Sequence, residues 1–144
     1  LNYADSGFIV SLYLPSEGLS VEARRAIKQS PGPVFLSPLS LLEIRNALNL
    51  AIRRGEMGET EREAILADIR RQLDAGYFRM AEASQSEIYA KAGDLSDTHT
   101  PAIGTRSLDL MHLATAVLCK AQRLLSTDTR QREAAKAEGL EVKP

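Results

Sequence analysis

The sequence predicts an α/β fold: a parallel sheet of four to five strands covered on both faces by helices. Short apolar runs at residues 1–4, 34–36, 77–81 and 123–126 alternate with stretches of helical periodicity, which is the pattern of strand–helix–strand crossovers. Two acids, Asp5 and Asp128, stand at the ends of the first and last of those runs. Ligands gather beyond the carboxyl ends of strands in such sheets, where strand order reverses. At 144 residues, a single domain spanning 1–144 is expected, large enough to bury a core.

Taken in order, the first strand stops at Asp5-Ser6-Gly7. A helix follows with Phe8, Ile9, Leu12 and Tyr13 on one face, and Pro15 ends it. A second helix is expected over about 18–29, then a Ser-Pro-Gly-Pro turn at 30–33 and the strand 34–36. Ser37 reads as an N-cap with Pro38 at the first helical position. That helix runs to about residue 54 with Leu39, Leu42, Ala47 and Leu50 inward and Glu43 in the same row. Thr60 and Glu63 have capping-box spacing for a helix to residue 75, completing a helical hairpin edged by Arg53, Arg54, Arg70 and Arg71.

After the strand at 77–81, Ser84 and Glu87 offer a second capping box for a helix to about residue 92. Residues 93–105, with Pro101 and Gly104, read as an ordered loop. The helix carrying Asp109 extends to about 120, the strand 123–126 leads to Thr127-Asp128, and a last helix covers 130–137. Gly139 stops that helix, and 140–142 offers an edge strand.

Composition narrows the function. With 44% apolar and 26% charged residues and a net charge of -1, the chain is neither disordered nor a basic nucleic-acid coat. Any contact with nucleic acid must come from local patches. A lone Cys119 excludes an internal disulfide and suits a reducing cytoplasm, and Cys119 itself reads as an inert core thiol. One Cys and two His leave little for structural zinc. No apolar run approaches the roughly 20 residues of a membrane span.

Four acids carry the chemistry. Asp109 shares the apolar row of its helix with Leu113, Ala116 and Val117, and Glu43 lies in the apolar row of another. A carboxylate so placed needs a compensating positive charge or donor. Each acid also fits a structural role: Asp5 and Asp128 as N-caps, the latter with Gln131; Glu43 in a box with Ser40; Asp109 paired with Arg106. Four independent caps explain the set poorly. Clustered carboxylates repel one another without a cation, and oxygen-only ligands favour Mg²⁺ or Mn²⁺ over zinc. Such an ion suits phosphodiester hydrolysis.

With Tyr3-Ala4-Asp5-Ser6 near the start, Glu43 within Ser37 to Leu48, Arg106-Ser107-Leu108-Asp109 and then Leu125-Ser126-Thr127-Asp128 in this order and spacing, the chain resembles the PIN-domain ribonucleases, and most of all the toxins of VapBC type II toxin–antitoxin pairs. Tyr3-Ala4-Asp5-Ser6 is similar to the family's first-strand motif, and Ser37 to Leu48, with Glu43, to its second acidic motif. Arg106-Ser107-Leu108-Asp109 followed by His112-Leu113-Ala114-Thr115-Ala116 is the strongest match. Leu125-Ser126-Thr127-Asp128 resembles the family's Thr-x-Asp strand end with Ser126 in place of Thr, and Gly7 stands where many relatives carry a hydroxyl.

The resemblance implies a PIN-like three-layer α/β/α fold with a protruding helical hairpin. It implies that Asp5, Glu43, Asp109 and Asp128 bind Mg²⁺ or Mn²⁺, which activates water for attack on an RNA phosphodiester. Ser6 and Ser126 would orient the ligands, and Arg106 or Arg130 would meet phosphate. His112 reads as a packed helix residue rather than a base. The implied partners are an RNA substrate, a cognate antitoxin and a second copy of the chain, without a membrane. Phe8, Ile9, Leu12, Tyr13 and Leu50 are candidates to line the antitoxin groove. The competing reading is a non-catalytic RNA- or protein-binding module on the same fold. A phosphatase is disfavoured because Gly7 breaks the Asp-x-Asp pair such enzymes use.

Overall fold

The computed structural model describes residues 1–14 and 20–144. Five parallel strands lie in the order β3-β2-β1-β4-β5, with β1 at Asn2–Ala4, β2 at Val34–Leu36, β3 at Phe78–Met80, β4 at Arg123–Leu125 and β5 at Glu141–Lys143. Strand order reverses between β1 and β4, which pair Tyr3 with Leu124 and Ala4 with Leu125. The period-2 alternation of strand side chains divides the core. Ala4, Val34, Leu36 and Leu125 face one cluster, while Tyr3 and Leu124 face the other.

Helices α1 (Ser6–Tyr13), α2 (Ser20–Lys28), α3 (Pro38–Arg53) and α4 (Glu59–Asp74) cover the first face. Helices α5 (Gln85–Ile103), α6 (Ser107–Leu118) and α7 (Thr129–Ala137) cover the second. This is the three-layer arrangement expected, with α3 and α4 forming the hairpin. Ile69 is the buried residue of α4, and Ile65, Leu66 and Leu73 pack against the same core cluster while keeping some exposure. The Tyr13 hydroxyl donates to Asp68 at 2.7 Å and Arg62 donates to Asn49 at 2.9 Å. The expected stop at Pro15 and start at Gly18 lie outside the described residues.

Three local expectations fail for identifiable reasons. Helix α3 buries Ser40, Ile44, Leu48 and Ala51, not the row of Leu39, Leu42, Ala47 and Leu50. Leu42 is 64% and Leu50 45% exposed. The capping box joins Ser37 to Ser40 rather than Ser40 to Glu43, and burying that serine pair turns the helix by one position. Full burial of Ile44 and Leu48 contributes roughly 1.5–3 kcal/mol each, which outweighs two exposed leucines.

Helix α4 has Gly58 at its N-cap with no side-chain cap, so Thr60 and Glu63 lie inside the helix. Glu59 and Glu61 in its first turn complement the dipole instead. Residues 93–103 are helical rather than a loop. Ile88, Ala92, Leu95 and His99 form one buried row along α5, and this packing overrides the cost of about 1 kcal/mol for Gly93. His99 Nε2 also meets Glu138 Oε1 at 2.6 Å, tying α5 to the end of α7. Pro101 forgoes a backbone bond only in the last turn, before Gly104 closes the helix in the left-handed conformation at φ 73°.

Candidate active site

A cavity of about 330 Å³ opens beyond the carboxyl ends of β1 and β4, where the strand order reverses. It is lined by Asp5, Glu43, Asp109 and Asp128, together with Ser6, Gly7, Arg106, His112, Thr127 and Gln131. Asp5 and Asp128 are the N-caps of α1 and α7, and Asp109 sits in the first turn of α6. Three helix N-termini therefore face one cleft, each adding partial positive charge that favours anions. Capping leaves the acids on the cavity wall: Asp5 Oδ1 accepts from Phe8 N at 2.7 Å and Asp128 Oδ1 from Gln131 N at 2.9 Å.

The four acids differ in surroundings. Asp5 is 5% exposed, and burial pushes its carboxyl above the usual range. Hydrogen bonds from Ser126 and the Phe8 amide and the nearby His112 work against that rise, while Asp128 adds to it. An anion so confined is short of positive charge. Burial also acts to raise Glu43, but a hydrogen bond and charge from His112, with a further bond from Ser6, hold it below the ordinary carboxylate value. Arg106 bridges the other two, with Nε 2.9 Å from Asp109 Oδ2 and Nη2 3.2 Å from Asp128 Oδ2.

His112 is buried, as expected of a packed helix residue, yet it also enters the site. Its Nε2 meets Glu43 and its Nδ1 lies 2.9 Å from the Tyr3 hydroxyl, which donates to Ser37 Oγ at 3.1 Å. Both ring nitrogens are thereby engaged, Nε2 by Glu43 and Nδ1 by Tyr3. The only sequence signal for this role was its position three residues after Asp109. Gln131, read only as a cap partner, is 1% exposed. Its amide donates to the Asp109 carbonyl at 3.2 Å, clamping α7 to α6, and its Oε1 lies 3.2 Å from Ser126 Oγ.

A family model for the PIN domain matches residues 3–137. The chain belongs to the PIN domain family. No curated protein matches it. Among solved structures it is similar to Mycobacterium tuberculosis VapC20, a sarcin–ricin loop cleaving toxin, at 20% identity and a TM-score of 0.72, with 100% of each chain covered. It is also similar to FitAcB from Neisseria gonorrhoeae at 17% identity and a TM-score of 0.61, covering 100% of this chain and 97% of the other. These likenesses establish the PIN fold.

On that fold the four acids chosen from sequence all line the one cavity, as do Ser6 and Arg106. Ser126 lies just behind it, accepting from the Asp128 amide at 3.1 Å. Arg130 turns away, donating to the Gly104 carbonyl at 3.3 Å. Among the described residues, no three His, Cys, Asp or Glu side chains stand grouped closely enough to hold an ion as they are; Arg106 engages Asp109 and Asp128, and His112 engages Glu43. The donor set itself suits a hard divalent cation: carboxylate oxygens, one of them deeply buried, with hydroxyls beside them. No helix among the described residues is long and apolar enough to cross a membrane.

Proposed function

We propose that this PIN protein is a Mg²⁺- or Mn²⁺-dependent endoribonuclease, the toxin of a type II toxin–antitoxin pair acting in the cytoplasm. The observation that carries the reading is the meeting of Asp5, Glu43, Asp109 and Asp128 on one cavity at the switch point of the sheet. These four would hold the ion, with Ser6 and Ser126 orienting Glu43 and Asp5. A bound divalent ion supplies activation of water and offsets charge on the phosphate in an in-line displacement. The helix N-termini around the cleft favour the phosphate anion. The similarity to a sarcin–ricin loop cleaving toxin supports the reading.

A homodimer and an antitoxin partner complete the proposal. Of the residues expected in the antitoxin groove, Phe8 and Ile9 are 0% exposed and belong to the core. Leu12, Tyr13 and Leu50 keep some exposure; Leu12 and Tyr13 line a cavity with Ile27 and Tyr77, and the hairpin has a crevice of its own lined by Leu41, Leu42, Leu66 and Leu73.

The engagement of acids by Arg106 and His112 favours a second reading, a PIN module that binds RNA or protein without cutting. Purified protein is mixed with an RNA oligonucleotide, with and without Mg²⁺, and melted with and without Mn²⁺. The nuclease reading expects shortened RNA only with metal and a raised melting temperature. Intact RNA and an unmoved melting temperature favour the module.

A further inference from the structure

Arg106 is the only permanent cation among the described residues lining the cavity. Its fork reaches two acids from different elements, Asp109 at the start of α6 and Asp128 at the start of α7, with Oδ2 as the accepting atom on each. Neither bond caps a helix or crosses the core. Asp128 caps α7 through its other oxygen, and the Arg106 carbonyl alone receives the α6 backbone at Leu110. The guanidinium also feels the charge of Glu43.

Its side chain is 67% exposed, against 13% for Asp109, so solvent screens the clamp and makes it weak. A charged fork that is only loosely held yet occupies two inward carboxylate oxygens acts as a competitor for them rather than as a scaffold. We propose that Arg106 is the resident counter-ion of the acid site, and that a divalent ion entering the cavity displaces its guanidinium from Asp109 and Asp128. This rests on the metal-dependent reading above and adds a step to it: ion binding and release of Arg106 are one exchange. The released fork, at the rim of the cleft, is then free for an anionic group.

The test is an NMR titration of ¹⁵N-labelled full chain with Mg²⁺, with Arg106 Nε–H assigned by comparison with the R106K variant. The expected result is that this resonance moves towards that of free arginine and its heteronuclear NOE falls, in step with amide shifts at Asp109 and Asp128. In parallel, R106Q takes up Mn²⁺ about three- to tenfold more tightly than wild type by electron paramagnetic resonance of free Mn²⁺. Cavity amides that shift while Arg106 Nε–H stays still, or R106Q binding that is equal or weaker, overturn the exchange and leave the metal site standing. No amide shift and no Mn²⁺ uptake by wild type sink both.

Discussion

His112 Nε2 lies 2.5 Å from Glu43 Oε2, joining α6 to α3 across the cavity. With Tyr3 on its other nitrogen, the ring links β1 and α6 to an acid of the site. His112→Ala leaves a buried tyrosine hydroxyl and Glu43 without this partner. It should destabilise the fold by about 2–3 kcal/mol. His112→Gln keeps an amide donor and should lose clearly less. Urea melts of both variants check this; an equal loss would assign His112 to packing alone.

The link between α1 and the hairpin predicts a pH dependence. The hydrogen bond from Tyr13, opposed by burial and assisted by Arg71, holds Asp68 below the ordinary carboxylate value of 3.8. A depressed folded value stabilises above 3.8 and is lost as pH falls through the folded value. Asp68→Ala should therefore cost about 1 kcal/mol at pH 7. The gap from wild type should close on acidification below 3.8. Denaturant melts at a series of pH values read it directly. A gap that persists at the acid end contradicts the assignment.

Gly7 occupies the first turn of α1 without needing a glycine there. A Cβ at this position would stand 3.7 Å from Asp5 Oδ1 and 4.0 Å from Thr127 Oγ1, which is ordinary contact. Gly7→Ala should raise stability by about 0.5–1 kcal/mol through reduced freedom of the unfolded chain. A lowered melting temperature would show that the cavity wall needs glycine at this point.

How much of this was legible in the sequence depends on the range of the forces involved. Asp5 and Asp128 were readable because strand ends and N-caps are local signals, and both acids cap as their neighbours suggest. Asp109 was marked by its apolar row. The rotation of α3 was not legible, because Ile44 and Leu48 are buried against Ala4, Phe8 and Ile9, residues distant along the chain. The length of α5 was hidden for a similar reason: its row of Ile88, Ala92, Leu95 and His99 becomes apolar only against α6 and α7. The clamp on Arg106 was half visible, since Asp109 is three residues away while Asp128 is 22 away.

The central claim, that these acids form one metal-dependent nuclease centre, is tested most directly with Asp109→Asn. The change keeps size and removes one charge from the cavity. Single-turnover cleavage of an RNA oligonucleotide in Mg²⁺ should slow by about a hundredfold or more, with the circular dichroism spectrum unchanged. A folded Asp109→Asn protein that cleaves at the wild-type rate would contradict the account.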